Sequence, residues 1–224
     1  MQDDDKRIAA HAAVAEVRGG MIVGLGTGST AAFAIARLGE LVAEGLAIRG
    51  VATSIRTARV ARAAGIVLLD PGHVAAIDIA IDGADEIDAR LFAIKGAGGA
   101  MLREKIVAAM ARRMIVVADA SKQTAAIGRA PVPVEIAPFA RAAAVAAVER
   151  MGARVVLRMA GNRPARSDQG NVIADCHFAL LPDPRATAAA LSMIPGLLGH
   201  GLFVDEVDAA YIARDGAVNR IERP

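Results

Sequence analysis

Glu104 stands in a helical, Ala-rich stretch with Ala100, Met101, Val107 and Ala108 at its i±3 and i±4 positions. No basic residue on its own helix neutralises it. A carboxylate on a stripe of small and apolar residues is partly stripped of water, which raises its pKa toward that of a general base. The plain alternative is an acid near a helix start, placed there by the helix dipole. What favours the base is the segment just ahead, Lys95-Gly96-Ala97-Gly98-Gly99. A lysine at a strand end, followed by a glycine-rich loop with exposed N–H groups, suits an oxygen that becomes negative during a reaction.

Two other strand ends carry polar turns. Gly24-Leu25-Gly26-Thr27-Gly28-Ser29-Thr30 leads from an apolar run into a helix, so backbone N–H groups, a helix N-terminus and three hydroxyls converge on an anion. The third glycine falls one position early for a dinucleotide fingerprint, and no Gly-Lys-Ser/Thr follows as in a P-loop. A cradle for one phosphate fits better; an ordinary glycine turn is the other reading. Asp82-Gly83-Ala84-Asp85-Glu86-Ile87-Asp88 follows the run ending at Ile81, an acidic turn able to bind hydroxyls, hold a metal or move protons, or simply to be solvated. Asp119-Ala120-Ser121-Lys122 closes a further strand. Of 26 basic residues only Lys6, Lys95, Lys105 and Lys122 are lysine, so a retained lysine marks a place where a compact ammonium is useful. His11, His73, His177 and His200 are dispersed, without metal-ligand spacing, and read as structural.

The elements that must place these groups alternate. Buried strands are expected at 21–25, 65–69, 77–81, 91–94 and 114–118, with helices at about 29–43 and 100–113. Continuous apolar runs between helices indicate a parallel sheet covered on both faces. From Pro131-Val132-Pro133-Val134-Glu135 the order becomes β-α-β-β-α-β: a helix at about 140–151, strands at 154–159 and 171–178, a helix to about Met193, and a last strand at 201–204. Segment 209–213 would return to the first sheet. The fold expected is α/β, a Rossmann-like parallel-sheet domain (1–129 plus 202–224) with a smaller α+β ferredoxin-like domain (130–201) inserted before the C-terminal strand.

Composition narrows the function. The 224 residues are 54% hydrophobic and 22% charged, enough for a packed core. A net charge of +2, 3% aromatics and no Trp argue against nucleic acid. One cysteine, Cys176, excludes a disulfide framework and a cysteine zinc site. No apolar run reaches the ~18 residues that span a bilayer, and the acidic start is unlike a secretory signal. The expectation is a cytoplasmic protein with no membrane partner.

Taken in order, Gly24–Thr30, Thr53-Ser54, Asp82–Asp88, Lys95–Lys105, Ser121-Lys122, Pro131–Glu135 and Ile194-Pro195-Gly196 resemble the ribose-5-phosphate isomerase A family, from near Lys6 to about Val218. The resemblance implies interconversion of D-ribose 5-phosphate and D-ribulose 5-phosphate in the pentose phosphate pathway, without metal or cofactor, in a homodimer or homotetramer. It implies substrate contacts at Thr27, Gly28, Ser29, Thr30, Asp82, Gly83, Ala84, Asp85, Lys95, Gly96, Ala97, Gly98 and Lys122. Glu104 falls on the family's proton acceptor, and Lys6 near a lysine that reaches the phosphate. On this reading Glu104 shuttles a proton between C1 and C2 through a cis-enediolate, Lys95 and the loop stabilise the oxyanion, and Asp82 and Asp85 handle hydroxyls. Ala97 departs from the family's glycine and would cost ~1 kcal/mol at positive φ. The stretch Ser167-Asp168-Gln169-Gly170-Asn171 is expected away from the chemistry, and Arg56 stands where the family often has an acid. The alternative is a non-catalytic sugar-phosphate sensor of related fold; the absence of a DNA-binding extension in the twenty residues before the first strand counts against it.

Overall fold

Alternation along single strands builds this molecule. Ile79, Ile81, Ile115, Val117 and Tyr211 point to one side of a sheet, and Ala80, Met114, Val116, Ala210 and Ile212 to the other. The computed structural model describes residues 2–179 and 181–223; Met1 and Pro224, the ends of the expected first domain, lie outside them. In chain order come α1 (Gln2–Val14), β1 (Ile22–Leu25), α2 (Ser29–Ala43), β2 (Arg49–Ala52), α3 (Ile55–Ala63), β3 (Val67–Leu68), β4 (Ile79–Gly83), β5 (Glu86–Ile87), β6 (Ala93–Ile94), α4 (Met101–Met110) and β7 (Met114–Asp119). Then follow β8 (Val132–Ile136), α5 (Arg141–Arg150), β9 (Ala153–Leu157), β10 (Met159–Ala160), β11 (Arg163–Pro164), β12 (Val172–Phe178), α6 (Pro184–Ser192), β13 (Leu197–His200), β14 (Leu202–Phe203), β15 (Ala209–Arg214) and β16 (Ala217–Glu222).

The main sheet has the order β16-β15-β7-β4-β1-β2-β3, parallel except for the antiparallel edge strand β16. One face is covered by α1 and α2 through Ala10, Ala13, Val14, Ala34, Ile35 and Leu38, the other by Val107 and Ala108 of α4 together with Phe203. The smaller sheet is antiparallel, ordered β13-β8-β12-β9. With α5 and α6 packed on Val132, Val134, Ala174 and Cys176 it completes the β-α-β-β-α-β unit. A mixed, mostly parallel sheet beside a smaller antiparallel one is the α/β architecture expected.

Several elements differ from expectation. The 91–94 run does not join the main sheet: Asp88 Oδ1 accepts from the N–H groups of Arg90 and Phe92, closing a turn with Leu91 at φ 63, and only β6 remains, paired with β5 and β14. The 201–204 segment does not end the small sheet. That place belongs to β13, because Gly201 turns the chain away: its N–H donates to Pro133 O at 2.7 Å and its carbonyl accepts from Lys95 N at 2.9 Å. The 65–69 strand shrinks to two residues, and the loop between β9 and β12 contains the β10–β11 hairpin. Helices α1 and α3 and strand β16 were not anticipated.

Candidate active site

From β1 the chain moves outward to β2 and β3, then returns to β4 on the opposite side of β1 and goes on to β7. Strand order therefore reverses between β1 and β4, and the loops at their carboxyl ends part to leave a crevice. A cleft of about 190 Å³ opens there, lined by residues 27–30, 83–85 and 95–98 with Glu104 and Lys122. Asp82 lies beneath its floor, 2% exposed. Lys6 is not in the lining; its ammonium holds Asp3 at 2.9 Å on the same helix.

Beneath the cleft lies a buried ion cluster. Asp82 Oδ1 accepts from the N–H groups of Thr27 at 2.9 Å and Gly83 at 2.7 Å, tying the ends of β1 and β4 together. Lys95 Nζ lies 2.8 Å from Asp82 Oδ2 and 3.4 Å from Glu104 Oε2, and donates to Gly83 O at 2.5 Å. Neither of those two carboxylate oxygens receives an aligned hydrogen bond. Burial would push the Lys95 ammonium down, but Asp82 and Glu104 outweigh it and hold it above its ordinary value. Burial raises Asp82 against the pull of Lys95. Burial likewise drives Glu104 up to about 8, opposed by Lys95 and reinforced by Asp82 and Asp85. One ammonium between two buried acids leaves one of them easily protonated. Such a carboxyl accepts a proton near neutral pH.

The opposite end of the cleft is built for an anion. Gly28, at φ 123, starts α2, whose first turn has no side-chain cap, so its leading N–H groups are left for a ligand. The Thr27 hydroxyl turns inward, within 2.8, 2.9 and 3.0 Å of the hydroxyls of Thr53, Ser54 and Thr57. Its backbone and methyl, not its hydroxyl, therefore face the cleft. Lys122 approaches from the turn after β7, where Asp119 fixes Ser121 N–H at 3.0 Å.

A family model described as Ribose 5-phosphate isomerase A (phosphoriboisomerase A) matches residues 49–216. The Sphingopyxis alaskensis ribose-5-phosphate isomerase A is 50% identical over 214 residues, 96% of this chain and 94% of that one. The Thermomicrobium roseum protein of the same name is 47% identical, covering 97% and 93%. Among solved structures, a D-ribose-5-phosphate isomerase in complex with phospho-erythronic acid superposes with TM-score 0.95 at 36% identity, covering both chains fully. The Neisseria gonorrhoeae ribose 5 phosphate isomerase A gives 0.93 at 33%, covering 100% of this chain and 98% of that one. The chain belongs to the ribose 5-phosphate isomerase A family. It is an isomerase interconverting ribose 5-phosphate and ribulose 5-phosphate, an enzyme of the pentose phosphate pathway. It binds a pentose phosphate. Among the described residues no helix is long and apolar enough to cross a membrane.

One expectation about this isomerase changes. Gly96 (φ 101) and Gly99 (φ 79) take left-handed conformations, but Ala97 does not, so its methyl carries no backbone strain. Its N–H donates to Asp85 Oδ2 at 2.9 Å. Asp168, expected away from the chemistry, does not line the cleft; its Oδ2 accepts from Ile55 N at 2.7 Å, at the start of α3, and stands 3.7 Å from Arg103. Sequence reasoning named Thr53-Ser54 only within the resemblance and missed that they join Thr57 in a hydroxyl cluster, signalled by a capping Ser54 three residues before Thr57. It also missed Arg158, which donates to Gly96 O at 3.0 Å and Ala97 O at 2.8 Å. Nothing in the local sequence marks that arginine.

Proposed function

We propose that Glu104 is the base that carries the proton between C1 and C2 of the open-chain sugar. The observation that carries this reading is a 3% exposed carboxylate on the wall of a polar cleft, 3.4 Å from a buried ammonium. Glu104 takes the proton from C2 of the aldose; the C–H electron pair forms the C1–C2 double bond, and the carbonyl electrons move to O1. Returning the proton to C1 while the O2 proton moves to O1 yields the ketose. The intermediate is a cis-enediolate, and a solvated glutamate with pKa ~4.3 is too weak a base to form it unless that oxygen is stabilised. Lys95 and the N–H groups of Gly96 and Gly98 supply the stabilisation, the Ala97 N–H being taken by Asp85. Asp82 and Asp85, with the Gly83 and Ala84 backbone, bind hydroxyls, assist ring opening and relay the oxygen-bound proton. Gly28, Ser29 and Thr30 with Lys122 hold the phosphate, whose binding orients the reacting end.

The cation between the acids is the protein's own ammonium, which supports a reaction without a metal. Phospho-erythronic acid, present in the related structure, carries a phosphate at one end and a planar carboxylate at the other. We expect this cleft to take it, the carboxylate standing for the enediolate. Glu104→Gln should leave KM near wild type and lower kcat by about 10³-fold, and turnover should survive exhaustive chelation; near-normal kcat in the variant would remove Glu104 from this role.

The same reading extends to organisation. Every strand from β8 to β13 lies in the small sheet or its hairpin, and β14 returns to β6, which supports a second domain at 130–201 within a first at 1–129 plus 202–224. A homodimer or homotetramer is supported by exposed Phe139, Met193 and Leu198. They lie on neighbouring segments of that domain, joined where Ala137 N donates to Gly196 O at 2.8 Å. A cytoplasmic location accords with a single unpaired cysteine, Cys176.

A further inference from the structure

Arg158 directly follows β9 of the smaller sheet but grips the loop after β6. Its backbone is clamped on both sides, its N–H donating to Ile173 O at 2.9 Å and its carbonyl accepting from Ala165 N at 2.8 Å. Its guanidinium is locked in plane by a two-pronged pair with Asp175 on β12, Nε to Oδ2 at 2.8 Å and Nη2 to Oδ1 at 2.7 Å. The remaining prong, Nη1, donates to the carbonyls of Gly96 and Ala97.

Those two carbonyls fix the direction of two N–H groups, because in a trans peptide the oxygen and the following N–H point to opposite sides. With Gly96 O drawn toward Arg158, the Ala97 N–H faces away, and there it meets Asp85 Oδ2 at 2.9 Å. With Ala97 O drawn the same way, the Gly98 N–H faces away too. Gly98 lines the cleft, and its N–H has no partner among the described residues. Gly96 O also accepts from the Gly99 N–H at 2.9 Å, whereas the Ala97 carbonyl is held by Arg158 between two glycines at positive φ.

We propose that Arg158, held by Asp175, is a positioning residue that aims the Gly98 N–H at the oxygen that becomes negative during isomerisation and, through the Ala97 N–H, fixes the Asp85 carboxylate beside the substrate hydroxyls. The second domain thereby sets the geometry of the first domain's oxyanion site. This rests on the reading of the Lys95 loop as that site. Lysine is a poor substitute, because one ammonium does not span a carboxylate and two carbonyls in a fixed plane.

The test is steady-state kinetics on Arg158→Met, Arg158→Lys and Asp175→Asn, with inhibition by inorganic phosphate and by a four-carbon phosphorylated aldonic acid. Arg158→Met should lower kcat by about 100-fold and weaken the aldonic acid in parallel. KM and inhibition by phosphate alone should stay within about threefold. Arg158→Lys should recover less than about a tenth of the lost kcat, and Asp175→Asn should fall between Arg158→Met and wild type. Folded Arg158→Met with kcat within about threefold of wild type overturns the proposal. So does parallel loss of kcat and phosphate affinity, which marks a purely structural role. If Arg158→Met fails to fold, Asp175→Asn decides by the same two readouts. Glu104→Gln, run alongside, separates the two levels: near-normal turnover there removes the underlying site assignment, whereas normal Arg158 variants beside a dead Glu104→Gln remove only the positioning role.

Discussion

A carboxylate that removes a proton from carbon at neutral pH must be more basic than a solvated glutamate, yet ionised when substrate arrives. Burial of Glu104 against Val107 and Ala108, offset by Lys95, sets that compromise near 8. The sign of the pH dependence follows: below about 8 the Asp82–Glu104 pair holds a proton and the base is blocked. In the free enzyme kcat/KM should therefore rise with pH through about 8 and level off while Lys95, held above its ordinary value, stays charged. A profile for ribose 5-phosphate from pH 6 to 9.5 checks this; a flat profile across that range contradicts it. At this scale the sequence is legible where chemistry and local spacing coincide. Glu104 lacks a basic neighbour at i±3 and i±4, and Lys95 abuts glycines. Arg158 is 62 positions from Gly96, and no pattern connects them.

Among elements, the joint at Gly201 governs the site most directly. Its carbonyl accepts from Lys95 N, and a Cβ there would lie 2.1 Å from Lys95 O and 2.6 Å from Pro133 Cδ. Gly201→Ala must push β6 and β8 apart or displace Lys95 from between the acids. The expected cost is about 2–3 kcal/mol of stability, a fall of roughly 5–10 °C in Tm, with a loss of kcat larger than the loss of folded protein. Thermal melting beside activity at 20 °C below the variant's Tm checks it, and wild-type values for both would refute it. This joint also explains why the 201–204 run was misplaced: its apolar residues read as a strand, but the pairing choice between β8 and β6 lies in one glycine's hydrogen bonds. Helix α1 escaped notice for a different reason. Its Ala9, Ala10 and Ala13 bury small surfaces against β7 and β15, and alanine spacing gives little amphipathic contrast. Strands β1, β4 and β7 were legible because they are central in the main sheet, covered on both faces, and their apolar runs are nearly continuous.

For the whole molecule, segments joining the strands of the smaller sheet reach the main one through Arg158, which holds the Gly96–Ala97 loop, and Asp168, which holds the start of α3; neither lines the cleft. Phe139→Asp with Leu198→Asp should convert the protein to monomers by light scattering while leaving the cleft residues in place; an unchanged mass would disprove that surface as the interface. The most direct measurement of the central claim is solvent hydrogen exchange at the sugar. In heavy water with ribose 5-phosphate, followed by NMR, the wild-type protein should introduce deuterium at C1 of ribulose 5-phosphate and C2 of ribose 5-phosphate. Glu104→Gln should bind the sugar and slow that exchange by about 10³-fold. Exchange at the wild-type rate in the variant would mean that some other group moves the proton.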